Sequence, residues 1–156
     1  MTELVTNGGF DTDTIWTKGT GWTISGGQGI AAATAANQFI SQTVSVIKNG
    51  VYVVSYDVAN FSSGDVRPSF DSGDNGTART ANGSYSDTIT LTAAATTLRF
   101  GRSTGDFTGR IDNVSLQGLS STVDETALGI ALSARLDGFA SPEQRARAMI
   151  QAYVNG

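Results

Sequence analysis

Residues 51–60 read VYVVSYDVAN and follow the tripeptide Lys48-Asn49-Gly50. Alternate side chains of an extended chain point to opposite faces, so this stretch predicts a β-strand with one fully apolar face. That face carries Tyr52, Val54, Tyr56 and Val58. Because such a face must be buried against a second layer, we expect the strand at the centre of a sheet in a mainly β protein.

The turn before this strand is a strong local signal. Asn49-Gly50 readily adopts the positive φ angles that a tight hairpin turn requires. Residues 38–46, which precede it, form another predicted strand. We therefore expect the strands 38–46 and 51–60 to pair antiparallel.

Seven further segments of alternating or β-branched residues are separated by turn residues. The composition agrees, with Gly 19 and only 15% charged residues, and the pattern is typical of a sandwich or barrel. Pro68 marks its strand as an edge strand or a bulge, because proline cannot donate to a ladder. The seven segments are residues 3–6, 22–25, 29–33, 66–70, 85–91, 97–102 and 107–117.

The composition also excludes several kinds of site and partner. With Cys 0 and His 0, disulfides, thiolate ligands and every triad or zinc site built on imidazole are excluded. The net charge of −4 argues against a nucleic-acid partner. No stretch approaches the ~20 apolar residues that span a bilayer, so no membrane partner is expected. The first seven residues lack the features of a signal peptide, which predicts a chain made in a cytoplasm.

After residue 119 the hydrophobic period changes to that of a helix. Thr122-Val123-Asp124-Glu125 and Ser141-Pro142-Glu143-Gln144 are capping boxes, which mark the starts of helices. Gly138 stands where the first of these helices would end. We predict a C-terminal helical hairpin over residues 120–156, following a β domain over residues 1–119.

An apolar stripe runs along each of the two predicted helices. The stripes contain Leu128, Leu132 and Leu136 in the first helix and Met149, Ile150 and Tyr153 in the second. The stripes either pack on the β domain or dock on another protein or on copies of this chain. In the second case these six residues form the interface.

Several landmarks occur in a fixed order within the β region. They are NGGFD at 7–11, GW at 21–22, ISQTV at 40–44, GVYVVSYDV at 50–58 and GRIDNVSL at 109–116. The series resembles the carbohydrate-binding modules of families four and nine, a type of domain also found in bacteriophage head decoration and tail proteins. The resemblance implies a jelly-roll-like antiparallel β-sandwich in which the first and last strands lie close together.

The same resemblance implies a metal site. In the resembling modules a structural calcium often joins the N-terminal strand to the last strand, through an acidic residue after NGGF and the aspartate of IDNV. Those positions are Asp11 and Asp112. Carboxylate oxygens are ligands of the kind that calcium requires. The alternative is that Asp112 accepts hydrogen bonds from the N-terminal loop and no metal is bound.

A glycan partner would need an aromatic face for the apolar side of a sugar ring. Trp22 follows Gly21 at a strand start and is expected in the core, as is Phe10. Trp16 lies in a threonine-rich stretch between turns and is the candidate for ligand binding.

Catalysis has little support in the sequence. A glycosidase needs two carboxylates facing each other across a cleft, whereas Glu3, Glu125 and Glu143 lie near the N-terminus and in the helix caps. We therefore expect a non-enzymatic protein. The favoured function is a structural protein of a bacteriophage virion, made in the host cytoplasm, which assembles with capsid or tail proteins and with copies of itself. The alternative is a stand-alone carbohydrate-binding module that recognises a glycan.

Overall fold

The computed structural model describes residues 2–119, which form nine β-strands and no helix. Every strand pairing among them is antiparallel. The strands are β1 Thr17–Lys18, β2 Trp22–Ile24, β3 Gly29–Thr34, β4 Ile40–Thr43, β5 Val51–Ser63, β6 Arg67–Phe70, β7 Gly83–Thr90, β8 Thr97–Gly101 and β9 Phe107–Leu119.

The strands form two sheets that pack as a sandwich. The five-stranded sheet has the order β2-β3-β9-β5-β7, and the four-stranded sheet has the order β1-β4-β8-β6. Aromatic side chains join the two sheets across the interior. Tyr56 of β5 packs edge-on against Phe100 of β8 with ring centroids 5.0 Å apart, and Tyr52 lies 6.2 Å from Phe70 of β6. The prediction of a mainly β, sandwich-like protein is confirmed for the described residues.

The strand predicted over residues 51–60 is present as β5. β5 pairs with β9 on one side and with β7 on the other. Its predicted apolar face points into the core, where Val54 is fully buried and Tyr56 is 1% exposed. The side chains of the opposite face are partly exposed. The alternating pattern therefore predicted both the strand and its orientation.

The predicted hairpin between β4 and β5 is wrong, although its turn exists. Asn49 has a φ of 63° and the Gly50 amide donates to the Ile47 carbonyl over 3.1 Å. The Asn49 amide, however, donates to the carbonyl of Leu91, and the Leu91 amide donates to Gly50. The turn is thus attached to the end of β7, and residues 44–50 carry the chain from one sheet to the other. β4 pairs with β1 and β8 instead.

The N-terminal segment lies along the last strand, as the resemblance implied. Glu3 forms an isolated antiparallel bridge with Gln117, and the Leu4 amide donates to the Leu116 carbonyl over 2.9 Å. A Cβ at Gly8 would overlap the carbonyl oxygen of Val114, so this close approach requires glycine. The predicted strand 3–6 is reduced to this single bridge.

Two further predictions concern Pro68 and the C-terminal helical hairpin. Pro68 lies in β6, an edge strand of the four-stranded sheet, which confirms its predicted position. The C-terminal helical hairpin and its six interface residues lie outside the described residues. Among residues 2–119 no helix has the length and hydrophobicity needed to cross a membrane.

Candidate functional site

The outer face of the four-stranded sheet holds the candidate site. Alternation along β8 turns Leu98 and Phe100 into the core, so Arg99 and Gly101 face outward. The register places Arg99 directly between Ser41 of β4 and Ser69 of β6, and Gly101 opposite Arg67. Three of the four strands of the sheet, β4, β8 and β6, therefore present polar and basic groups to one outer surface.

A cleft of about 340 Å³ lies on this surface. Its lining contains three arginines, several amide and hydroxyl side chains, one aromatic ring and no acidic residue. The lining residues are Ala36, Asn37, Phe39, Arg67, Ser69, Asn75, Arg99, Gly101, Arg102 and Ser103.

Arg99 is held in the floor of the cleft by its neighbours. Its Nη2 donates to the carbonyl of Phe70 over 2.7 Å, and its guanidinium lies 4.7 Å from the centroid of the Phe39 ring. A Cβ at Gly101 would overlap the Phe39 ring, so glycine leaves the space that this ring occupies. The buried Nε of Arg99 has no hydrogen-bond partner among the described residues.

The other two arginines are less engaged. Arg102 pairs with Asp106 over 3.3 Å, while its own Nε is also buried without a partner among residues 2–119. The side chain of Arg67 makes no hydrogen bond or ion pair within the same range. Because the Nε atoms of Arg99 and Arg102 are closed to solvent, a ligand in the cleft would use the other nitrogens of the guanidinium groups.

Asp65 fixes the loop that forms one rim of the cleft. Its carboxylate accepts the amide and the hydroxyl of Thr104 over 2.8 and 2.6 Å, and the amide of Ser103. Burial alone would raise the pKa of Asp65, but these hydrogen bonds and the charge of Arg67 outweigh it, so the pKa lies below its usual value. An ionised carboxylate therefore holds Ser103 in place.

A second polar cluster, on the five-stranded sheet, is structural. Asp87 of β7 is 7% exposed; it accepts from Arg79 over 2.7 Å and from the hydroxyl of Tyr56 over 3.3 Å. Burial raises the pKa of Tyr56, which therefore stays protonated. The Arg79 guanidinium also lies 4.6 Å from the Tyr85 ring. These groups bond one another beside the core, and the buried Nε of Arg79 has no hydrogen-bond partner among residues 2–119.

The structure places Trp16 in the hydrophobic core. It is 4% exposed, its ring lies 5.0 Å from that of Phe10, and its Nε1 donates to the Asn7 carbonyl over 2.9 Å. A sugar ring stacks on an exposed aromatic face, which Trp16 does not offer. The expectation that Trp16 contacts a ligand is corrected on this ground. Trp22 and Phe10 are buried, as predicted.

Of the two predicted calcium ligands, Asp11 lies in the N-terminal loop and Asp112 lies in β9. Asp112 pairs in register with Asp57. The Asp112 carboxylate accepts the Asn113 backbone amide over 2.7 Å, and the Asp57 carboxylate accepts Asn113 Nδ2 over 2.7 Å. The N-terminal loop is attached by the Val114 amide and the Gly8 carbonyl, not by Asp112. Residues 2–119 contain no group of three or more acidic side chains that could hold an ion. A calcium at Asp11 and Asp112 stays a prediction.

The arginine cleft was not found from the sequence. Arg67 and Arg99 stand in the strand sequences RPSF and TLRFG, whose alternation marks both arginines as outward-facing. That signal cannot say that β6 and β8 are neighbours, which depends on the pairing of segments about 30 residues apart.

Comparison of the chain with protein family models and with curated proteins found no match.

Proposed function

We propose that this protein is a non-enzymatic structural component of a bacteriophage virion that acts by assembly. The proposal keeps the resemblance of residues 3 to 117 to the sandwich domains of phage head decoration and tail proteins. Its partners are capsid or tail proteins and copies of this chain, and its place is the virion.

The observation that carries the proposal is the way in which the sandwich fills its own core. Side chains from both sheets meet in the interior, where Phe70, Leu98 and Phe100 of the four-stranded sheet are fully buried beside the apolar face of β5. We propose that the apolar stripes predicted at Leu128, Leu132 and Leu136, and at Met149, Ile150 and Tyr153, serve assembly, because side chains of the two sheets already fill this core.

The absence of suitable catalytic groups in the described cleft supports a non-enzymatic role. Its lining contains no carboxylate, and the chain has no histidine or cysteine to act as base or nucleophile. The buried Asp87 is engaged by Arg79 and Tyr56.

The alternative function, a carbohydrate-binding module, is favoured by one specific observation. The cleft on the four-stranded sheet combines Phe39 with the amides of Asn37 and Asn75, which are groups suited to a sugar ring and its hydroxyls. In both functions the domain binds a partner and catalyses no reaction.

Replacing Leu132 by aspartate in the full chain tests the assembly proposal. We expect the wild-type protein to self-associate in sedimentation experiments and the variant to associate at least about tenfold more weakly, because a charge in an apolar interface costs binding energy. We expect the melting temperature of the variant monomer to change by no more than about 2 °C.

The matched control is Ile47→Asp, which places the same charge on a side chain that is 71% exposed on the sandwich. It should leave association unchanged. A wild-type chain that stays monomeric, or a Leu132→Asp variant whose monomer melts much earlier, would contradict assembly through residues 122–156.

A further inference from the structure

We propose that the arginine cleft on the outer face of the four-stranded sheet binds an acidic saccharide. The guanidinium groups of Arg67, Arg99 and Arg102 hold its carboxylate or sulfate, and the amides of Asn37 and Asn75 contact its hydroxyl groups. The inference deepens the carbohydrate-binding alternative and does not rest on the virion proposal.

The first support is the distribution of charge. The chain is acidic overall, with 10 lysines and arginines against 14 aspartates and glutamates. Three of these 10 cations nevertheless line one cleft, and no acidic residue lines it with them. A local positive potential attracts anions to that place, even on a protein that is acidic overall.

The second support is the state of the guanidinium groups. Arg99 donates one N–H to the Phe70 carbonyl and Arg102 pairs with Asp106, while Arg67 makes no hydrogen bond or ion pair among residues 2–119, although its charge acts on Asp65. Each guanidinium has five N–H donors in a planar fork, which matches the two oxygens of a carboxylate or sulfate. Apart from the two buried Nε–H groups of Arg99 and Arg102, the donors without a protein partner remain for a ligand.

The third support is that the cleft is preformed. Arg99 is clamped between the Phe70 carbonyl and the Phe39 ring, and Asp65 holds the loop at Ser103 and Thr104. Groups held in place before binding lose little conformational entropy when the ligand arrives. The arrangement therefore favours affinity for a ligand that fits it.

The remaining lining groups distinguish a saccharide from a bare inorganic anion. A single oxyanion would occupy only part of a cleft of about 340 Å³, a volume at the lower end of those that hold small organic ligands. Asn37, Asn75, Ser69 and Ser103 offer donors and acceptors around the basic floor, as a set of hydroxyl groups requires.

The experiment is a calorimetric titration of the full chain with digalacturonate and with galactose 6-sulfate, compared with neutral digalactose and inorganic phosphate. We expect saturable binding of at least one acidic saccharide, at least about tenfold tighter than that of digalactose or phosphate. The affinity should fall as sodium chloride rises from about 50 to about 200 mM.

Arg67→Gln is the decisive variant, because this side chain makes no hydrogen bond among residues 2–119; a melting curve of the variant checks that the fold is kept. We expect it to weaken binding of the acidic saccharide by about tenfold or more. The matched control is Arg110→Gln on β9, which removes the same charge from a side chain that donates to Gln28 over 2.8 Å. It should change the affinity less than about twofold.

Amide spectra of the wild-type chain give an independent measurement of the place of binding. The signals of Gly101 and Ser103 should shift on titration with the acidic saccharide, while that of Gly118 should not. Three outcomes overturn the proposal: no saturable binding of either acidic saccharide, phosphate or digalactose binding as tightly as they do, or equal losses in Arg67→Gln and Arg110→Gln. None of these results bears on self-association, which Leu132→Asp tests separately.

Discussion

Asp65 shows how one buried carboxylate can organise a surface. It is 4% exposed, and its two oxygens accept three hydrogen bonds from the segment that follows β8. Its hydrogen-bond partners, Ser103 and Thr104, lie 38 and 39 residues away in the sequence. The residue therefore joins the loop before β6 to the loop after β8, and it places Ser103 at the cleft.

Asp65→Asn should lower the free energy of unfolding by about 2 kcal/mol, because hydrogen bonds to a charged group are strong and the amide presents a donor where acceptors are needed. Denaturant unfolding measures the change. Asp106→Asn is the control, since Asp106 is 55% exposed in its pair with Arg102, and we expect a change below about 0.5 kcal/mol. Equal losses in the two variants would show that Asp65 does not hold the loop.

The N-terminal segment completes the five-stranded sheet. β3 pairs with β9 over Phe107–Ile111, and beyond that point the edge of β9 is covered by Glu3 and Leu4. The Glu3 carboxylate accepts the amides of Val5 and Leu116 over 2.9 and 2.8 Å and the hydroxyl of Ser115. An uncovered edge would expose unpaired amides to other chains, so this segment also protects the sheet.

Glu3→Gln should loosen this segment, because the variant loses a charged acceptor of hydrogen bonds from Ser115 and Leu116. We expect faster hydrogen exchange at the amides of Leu4 and Leu116 and a loss of about 1 kcal/mol in the free energy of unfolding. Amides at the centre of β5, such as Val54, should exchange as before. Asp106→Asn, which makes the same change from carboxylate to amide at an exposed residue outside this segment, is the control. Unchanged exchange at Leu116 in Glu3→Gln would contradict this role for Glu3.

For the molecule as a whole, carboxylates determine how stability depends on pH. Hydrogen bonds hold five carboxyl pKa values below their usual range. In three of the five, burial is the largest single effect and would raise the pKa, but the effects that lower the pKa together outweigh it. The chain has no histidine, so no side chain with an ordinary pKa titrates between about pH 5.5 and 7. The five residues are Glu3, Asp57, Asp65, Asp71 and Asp74.

The sign of the pH effect follows from these lowered values. The unfolded chain binds protons at a higher pH than the folded chain does, so the stabilisation is complete above the ordinary pKa values of 4.5 for Glu and 3.8 for Asp. It is lost as the pH falls through the lower folded values. We expect a constant melting temperature between about pH 5.5 and 7 and a steep fall below about pH 4.5. A fall that begins near neutral pH would contradict this assignment.

Glu3→Gln provides the matched comparison for that measurement. Because the variant lacks one of the five carboxylates, its melting temperature should fall less steeply below pH 4.5 than that of the wild type.

The sequence by itself determined the mainly β, sandwich-like character of the described residues, the bounds of most strands within a few residues, and which face of β5 is buried. These properties depend on the alternation of side chains along one extended segment, as in β5, and on local residues such as Pro68 in β6. They can be predicted because each depends on residues within one short stretch.

Only the tertiary structure decided which strands are neighbours, and the candidate site depends on that. The turn at Asn49-Gly50 is local and was predicted, but its strands lie in different sheets. Trp16 is buried because Phe10 and Asn7 cover it, which its own neighbours in sequence do not reveal. Arg67 and Arg99 meet because β6 pairs with β8 in one register. Period-two alternation specifies a face of a strand but not its partner, so long-range pairing brings the arginines to one cleft.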